Sequence, residues 1–250
     1  MIDSHCHLTL CEPPSGELVD AAASVGVRRL LTVGLGEESN PKVVELAEAH
    51  ESVWAAVGRH PNSASGFDAA AAAAIEELAV HPRVAAVGET GLDYFRDGSP
   101  REDQRRAFEA QIEIARRVGK PVVIHMRDAL EPTFAILREQ ADGVTVVLHC
   151  FSAGPDAIPE AVERGWICSF AGNVTYSSSA ALREACRLVP DDLLLVETDA
   201  PFLAPQPVRG KPNAPANVVE TAERVAEERG ISYTELEALV DANAARVFGW

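Results

Sequence analysis

The sequence has few positive charges for its length: 22 of its 250 residues are lysine or arginine, whereas 38 are aspartate or glutamate. The formal net charge at pH 7 is −16. A surface that grips duplex nucleic acid needs Lys and Arg side chains to neutralise phosphates. The composition therefore argues against a general duplex-binding protein. A polyanionic substrate would have to be met locally, by a few cations or by metal ions.

Long apolar runs are also lacking, since no stretch approaches the ~18–20 apolar residues that span a membrane. No N-terminal segment combines a charged start, an apolar middle and a small-residue cleavage site. The five cysteines are odd in number and include no C-x-x-C pair. We therefore expect a protein of the reducing cytoplasm with no membrane partner.

The glycine-rich nucleotide fingerprints G-x-G-x-x-G and G-x-x-x-x-G-K-[ST] are absent. What the sequence has is an alternation of short apolar runs and helix-like segments. Most of the runs are continuous, as expected of strands covered on both faces. The eight runs are Met1-Ile2, Arg29–Val33, Val53–Val57, Val84–Val87, Pro121–Ile124, Val144–Leu148, Trp166–Phe170 and Leu193–Val196. The helix-like segments are Gly16–Val25, Pro41–His50, Asp68–Val80, Pro100–Val118, Ala129–Ala141, Pro155–Arg164, Ser177–Leu188, Ala216–Arg229 and Tyr233–Phe248.

Eight strand–helix alternations predict an α/β fold, a (β/α)8 TIM barrel with an extra C-terminal helix. No linker-like stretch divides the sequence, so we expect residues 1–250 to form a single domain. An open doubly wound sheet is the alternative, which periodicity alone does not exclude. The last helix follows Ser232-x-x-Glu235, the pattern of a capping box.

Polar side chains with metal-binding chemistry recur where the apolar runs end. In a (β/α)8 barrel the C-terminal ends of the strands converge on the face that carries active sites. Five of the seven histidines fall at such ends, whereas His50 and His81 fall at helix ends and are expected at the surface. The strand-end candidates are His5, His7, His60, Glu89, His125, His149 and Asp199.

His5 and His7 lie two residues apart on the first strand, so their side chains point to the same side. Alone, the pair is equally well read as two satisfied polar residues. With three further histidines and two carboxylates at equivalent positions, we predict a metal site. Four imidazoles and two carboxylates exceed what one ion with an open catalytic position takes, and suit two ions bridged by a carboxylate roughly 3.5–4 Å apart. Glu89, between Gly88 and Gly91, is the predicted bridge.

The other candidates have less specific surroundings. Asp199 can bind a metal and accept a proton from water, and Glu197 either orients a ligand or forms an ion pair inside the barrel. The position of His60 favours a substrate contact over a structural role. Arg127 is either a phosphate clamp or a solvated residue at a helix start. Lys211, in the cluster Arg209-Gly210-Lys211, is equally open between a site contact and a solvated loop.

In order along essentially the whole chain, the motifs resemble those of the TatD family of metal-dependent deoxyribonucleases, within the amidohydrolase-like barrels. They are DSHCHL, GRHP, VGETGLDY, PVVIHMRDA, LHCFS, SFAGNVTY, VETDAPFL and RGKPNAPANV. The resemblance implies a TIM barrel that hydrolyses phosphodiesters with divalent metals, commonly as a 3′–5′ exonuclease on DNA. It implies one metal on His5, His7, Glu89 and Asp199, a second on Glu89, His125 and His149, and a substrate-side role for His60.

We therefore expect a monomeric DNase that acts on single-stranded ends through a two-metal-activated water. Glu89 and Asp199 would be catalytic, and His60 and Arg127 would bind substrate. The ligand types suit Zn²⁺, Mn²⁺, Ni²⁺ or Fe²⁺, whereas the resemblance favours Mg²⁺ or Mn²⁺ for activity. The alternatives are a small-molecule amidohydrolase or phosphoesterase on the same barrel, and a metal-dependent binding protein without turnover.

Overall fold

The computed structural model describes residues 1–96 and 98–250. Within them, eight strands alternate with seven α-helices, and two further α-helices follow the last strand. The strands are β1 (Ile2–Cys6), β2 (Arg29–Val33), β3 (Val53–Val57), β4 (Val84–Asp93), β5 (Val122–Arg127), β6 (Val146–Leu148), β7 (Ile167–Phe170) and β8 (Leu194–Val196). The helices are α1 (Ser15–Ser24), α2 (Asn40–Ala49), α3 (Ala69–Ala79), α4 (Arg101–Val118), α5 (Leu130–Gln140), α6 (Ile158–Glu163), α7 (Ala180–Leu188), α8 (Val218–Arg229) and α9 (Tyr233–Phe248).

The eight strands follow one another in the sheet in chain order. Neighbouring pairs such as β4–β5 and β7–β8 are parallel. Parallel strands joined by helices are buried on both faces, which explains why most of the strand segments contain continuous apolar runs. Among the described residues, no helix has the combination of length and apolar character that a membrane span requires.

The chain packs as two compact units, which we call the terminal unit (Met1–Thr32 and Cys150–Trp250) and the central unit (Val33–His149). In the terminal unit β7 pairs with β8, from Cys168 opposite Leu194 to Phe170 opposite Val196. The end of β1 is joined to the segment after β8 by a parallel bridge between Cys6 and Ala200.

In the central unit, β4 is the longest strand and all ten of its residues are buried. It pairs with β3 on one side and with β5 on the other. The β4–β5 pairing runs from Val87 opposite Val122 to Asp93 opposite Arg127, with an irregularity between Gly88 and Thr90. Phe108 and Ile112 of α4 are fully buried and contribute to the core of this unit.

The structure moves several element boundaries that the sequence predicted. β1 continues past Ile2 to Cys6 and β4 past Val87 to Asp93, because polar residues extend both strands. Short 3₁₀ turns replace the predicted first turns of α6 and α8, and α7 begins at Ala180. The bounds of α9 are confirmed, as is its capping box: Ser232 Oγ accepts from the Glu235 amide (3.2 Å), and Glu235 Oε2 accepts from the Ser232 amide (2.8 Å).

Candidate metal centres

The terminal unit brings His5, His7 and Asp199 together. The Nε2 atoms of the two histidines lie 3.3 Å apart. Asp199 Oδ1 lies 3.9 Å from Nε2 of His5 and 3.5 Å from Nε2 of His7. Cys6, between the histidines, directs its sulfur at the Leu31 carbonyl 3.5 Å away. The alternation of side chains along β1 therefore places both imidazoles on one side of the strand.

Asp199 occupies an unusual backbone conformation. Its φ of +56° lies in the left-handed region, which aspartate tolerates better than most residues. The Asp199 amide donates to the His5 carbonyl (2.9 Å), so the carboxylate is fixed directly beside the end of β1. Such conformations cluster at functional sites, where the surrounding structure holds them in place.

Two buried carboxyl groups hold the backbone around this terminal group. Asp3 Oδ1 accepts from the Thr198 amide (2.8 Å), and Asp3 Oδ2 accepts from the Thr198 hydroxyl (2.6 Å). Burial raises the pKa of Asp3 to about 8, although these hydrogen bonds oppose the shift. Glu197 Oε1 accepts from the Cys150 amide (2.8 Å). Glu197 therefore orients backbone, and Asp3 ties β1 to the segment that carries Asp199.

The central unit brings Glu89, His125 and His149 together. Glu89 Oε1 lies 2.8 Å from His125 Nδ1 and 3.7 Å from His149 Nε2. Glu89 and His149 are buried, and His125 is half-buried. One donor atom from each of the three residues lies within 4.8 Å of the others. The group combines two imidazoles with a carboxylate, as does the group in the terminal unit.

Asp93 fixes the orientation of His125. Asp93 Oδ2 lies 3.2 Å from His125 Nε2. Burial disfavours the charged form of Asp93, but its hydrogen bonds outweigh burial and hold its pKa well below the usual range. A charged carboxylate holds a hydrogen on Nε2, so that in the neutral imidazole Nδ1, on the side of Glu89, is the nitrogen that can bind a metal ion. The remaining donors to Asp93 are Asn62 Nδ2 and the amides of Phe95 and Arg96.

His60 presents a hydrogen rather than a lone pair to this group. Its Nδ1 accepts from the Asn62 amide (3.0 Å), and its Nε2 lies 3.2 Å from Glu89 Oε1. A neutral imidazole has one donor and one acceptor nitrogen, so Nε2 carries the hydrogen. Donor atoms of His60, Asp93 and His125 also lie within 4.8 Å of one another. The occupied acceptor nitrogen of His60 argues against that trio as a metal site.

Two fully buried glutamines of α4, which sequence reasoning missed, hold the strand ends of the central unit. Gln104 binds both backbone groups of Asp93: its Oε1 accepts from the amide (2.8 Å) and its Nε2 donates to the carbonyl (3.2 Å). Gln111 binds the amide and the carbonyl of Arg59 in the same way (2.7 and 3.1 Å). The available signal was their spacing of seven residues, which places both on one face of a helix.

Gly91 allows β4 to approach β5 closely. Its φ is +140°, and a Cβ atom there would lie 2.0 Å from the His125 carbonyl oxygen. A side chain at this position would displace the strand that carries His125.

Arg127, predicted to bind substrate, lies two residues after His125 on β5. Its guanidinium carbon is 4.0 Å from the ring centroid of Phe95, a cation–π contact. The Phe95 side chain is 61% exposed, so the pair lies at the surface of the central unit. Lys211 is exposed in the loop after β8.

The donor atoms of both groups fit divalent metal ions. In the terminal unit, two imidazole nitrogens 3.3 Å apart face a carboxylate oxygen. A metal ion can bind all three of these atoms, whereas one hydrogen can bridge only two of them. In the central unit, Asp93 supports His125 as a carboxylate commonly supports a metal-bound imidazole. Imidazole and carboxylate donors suit Zn²⁺, Mn²⁺, Fe²⁺ and Ni²⁺.

The strand and helix order and the imidazole–carboxylate groups together define the class of metal-dependent hydrolases. A family model described as "TatD related DNase" matches residues 2–249. A Mycobacterium tuberculosis protein named as an uncharacterized metal-dependent hydrolase TatD is 39% identical over 100% of this chain and 98% of its own length. An Escherichia coli protein named 3′-5′ ssDNA/RNA exonuclease TatD is 36% identical over 93% of this chain and 92% of its own. The chain belongs to the TatD family and is a metal-dependent hydrolase.

A solved structure confirms the fold class. The crystal structure of YjjV, a TatD homologue from Escherichia coli, superimposes with a TM-score of 0.93 at 27% identity. The match covers 100% of this chain and 98% of that one. The predicted (β/α)8 barrel with an additional C-terminal helix is therefore correct.

Proposed function

We propose that this hydrolase cleaves phosphodiester bonds in single-stranded DNA, and that it removes nucleotides from the 3′ end. The observation that carries the proposal is the pair of imidazole–carboxylate groups, one in each unit, built from residues that lie in the strands or directly after them. Relatives that are named 3′-5′ ssDNA/RNA exonucleases support the substrate class and add RNA to it.

The proposed cofactor is two divalent metal ions, Mg²⁺ or Mn²⁺ for activity, with Zn²⁺, Ni²⁺ or Fe²⁺ as other bound species. His5, His7 and Asp199 of the terminal unit and His125 and His149 of the central unit are the proposed ligands. The resemblance to the family assigns Glu89 to both ions. Bound divalent ions lower the pKa of water and neutralise phosphate charge.

Three side chains have proposed roles in the reaction itself. Asp199 accepts the proton of the attacking water as general base. His60 donates its Nε2–H to a phosphoryl oxygen as negative charge develops there. Arg127 pairs with a phosphate of the substrate. The fixed tautomer of His60 and the backbone constraint on Asp199 support the first two roles.

The test is hydrolysis of a 3′-labelled and a 5′-labelled single-stranded oligodeoxynucleotide with added Mg²⁺ or Mn²⁺. We expect progressive shortening from the 3′ end and a loss of at least 100-fold in rate for Glu89→Gln, in line with the removal of charge stabilisation. Glu48→Gln, an exposed position on α2, is the matched control and should retain wild-type activity. Metal-loaded protein that leaves DNA and RNA intact but cleaves a lactone, an amide or a small phosphotriester would instead be a small-molecule hydrolase.

We also propose that the protein acts as a cytoplasmic monomer. Cys6, Cys11, Cys168 and Cys186 are free thiols, which suits a reducing compartment. Size-exclusion chromatography with light scattering tests the oligomeric state.

A further inference from the structure

Phe202 is an exposed aromatic residue beside the candidate ligands of the terminal unit. It lies three residues after Asp199, and 44% of its side chain is exposed. Its ring centroid is 6.0 Å from that of His7, with the ring planes at 73°. A ring has two faces, and the contact with His7 occupies at most one of them. A solvated phenylalanine next to predicted metal ligands suggests recognition of an apolar or aromatic part of the substrate.

The backbone of Phe202 is held in place by a buried asparagine. Asn213 Nδ2 donates to the Phe202 carbonyl (2.7 Å) and to the Thr198 carbonyl (2.9 Å). The Asn213 amide donates to the Pro201 carbonyl (3.1 Å). Asn213 is only 2% exposed, so these bonds are shielded from water. The ring is therefore presented by a pre-organised loop, which reduces the entropy that binding costs.

The next residues of the loop are anchored as well. A Cβ atom on Gly172 would lie 2.1 Å from the Leu203 carbonyl oxygen, so the chain there requires glycine. The Tyr176 hydroxyl donates to the Ala204 carbonyl (2.9 Å), and the Arg209 guanidinium lies 4.1 Å over the Tyr176 ring. The loop that carries Phe202 thus also holds an exposed cation in an acidic chain.

We propose that Phe202 is a specificity-determining residue that stacks on a nucleobase flanking the scissile phosphate. The inference rests on the proposed function. Aromatic side chains stack on unpaired bases with little sequence preference, because every base has a π face. In a duplex both faces of an internal base are already stacked and its edge is paired. Stacking on Phe202 therefore selects single-stranded ends without reading their sequence.

The test compares wild type with Phe202→Leu and Phe202→Tyr on matched oligodeoxynucleotides. One substrate carries normal bases, and the others carry an abasic residue at the 3′-terminal or the penultimate position. Leucine keeps the apolar contact with His7 but has no π face, whereas tyrosine keeps the π face. For Phe202→Leu we expect KM on the normal substrate to rise roughly tenfold. Phe202→Tyr should keep the wild-type KM.

Wild type and Phe202→Leu should have the same KM on the oligonucleotide that lacks the base on which Phe202 stacks. The abasic position of that oligonucleotide therefore identifies the stacked base. Equal KM values for wild type and Phe202→Leu on the normal substrate would overturn the inference. A rise in KM of the same size on every substrate would also overturn the inference, as would weaker metal binding by Phe202→Leu in calorimetry. Either result would mean that Phe202 only supports His7. Leu188→Ala, an exposed apolar position at the end of α7, is the control. If wild type cleaves none of these oligonucleotides, the proposed function is wrong. If wild type cleaves them and Phe202→Leu has the same KM, only the stacking role is wrong.

Discussion

His125 contacts a carboxylate through each of its ring nitrogens. Nδ1 lies 2.8 Å from Glu89 and Nε2 lies 3.2 Å from Asp93. Burial disfavours the imidazolium, but hydrogen bonds to Asp93 and Glu89 outweigh it and raise the pKa of His125. A carboxylate behind an imidazole fixes its tautomer and increases its basicity as a ligand. Asp93 is therefore a positioning residue for the central group.

Replacing Asp93 with asparagine should weaken metal binding at the central group by roughly 10–100-fold. The amide lacks the charge that selects the Nε2–H tautomer of His125. Titration calorimetry with Zn²⁺ or Mn²⁺ measures the affinity, and binding at the terminal group should not change. Asp142→Asn, an exposed position after α5, is the control. Wild-type affinity in Asp93→Asn would mean that His125 does not depend on Asp93.

Single residues differ in how far the sequence identifies them. His5, His7, His125 and His149 could be selected because each combines a ligand-type side chain with the end of an apolar run. Asp93 lay in a quoted motif, but its role depends on a contact with a residue 32 positions away. The sequence predicts a substrate-side role for His60, but only its hydrogen bond with the Asn62 amide shows which ring nitrogen carries the hydrogen. Tautomers depend on three-dimensional partners and leave no pattern in the sequence.

At the scale of elements, α4 supports the strand ends of the central unit as well as covering the sheet. Gln104 is fully buried, and its side chain forms hydrogen bonds with the backbone amide and carbonyl of Asp93 at the end of β4. Its Nε2 also donates to the Ser99 carbonyl (2.9 Å). A buried amide that satisfies three backbone groups couples helix packing to the position of Asp93.

Replacing Gln104 with leucine should destabilise the protein by roughly 1–3 kcal/mol, because the buried amide of Asp93 loses its acceptor. For a chain of this size the melting temperature should fall by about 2–4 °C per kcal/mol. Differential scanning calorimetry of wild type, Gln104→Leu and the control Gln140→Leu, at the end of α5, measures the change. Equal melting temperatures for wild type and Gln104→Leu would show that water replaces the lost hydrogen bonds.

Some element boundaries depend on residues that are close in the sequence, and others depend on contacts that only the tertiary fold makes. The start of α9 could be predicted because Ser232 and Glu235 form a capping box within four residues. The length of β4 could not, because its second half reads Glu-Thr-Gly-Leu-Asp and is polar for a buried strand. Pairing with β5 and hydrogen bonds from α4 bury these polar residues, and both depend on the tertiary fold.

At the scale of the whole molecule, the alternation of strands and helices predicts a parallel α/β sheet, because each parallel strand needs a crossover helix. The alternation alone does not distinguish a closed (β/α)8 barrel from an open doubly wound sheet, whereas the ordered family motifs favour the barrel. The net charge of −16 also affects how strongly nucleic-acid binding depends on salt. Nucleic acid binds to an acidic protein through few cationic contacts, so its affinity depends weakly on monovalent salt. Arg127 is the cation proposed to make such a contact in the central unit.

The variant Glu89→Gln, which we expect to bind a single-stranded oligonucleotide without cleaving it, is used for the binding measurement. At a fixed concentration of divalent ion, its affinity should fall only slowly as the concentration of monovalent salt rises. Each neutralised phosphate contributes about −0.7 to the slope of log K against log salt for a single strand. Adding Arg127→Gln should make the slope less negative by about 0.7, because one phosphate contact is lost. Adding Arg105→Gln instead, which removes an exposed arginine paired with Glu109, should leave the slope unchanged. Fluorescence anisotropy from about 50 to 200 mM NaCl measures it. A slope steeper than about −5 would indicate an extended cationic track, and an unchanged slope in Arg127→Gln would remove Arg127 from the substrate contacts.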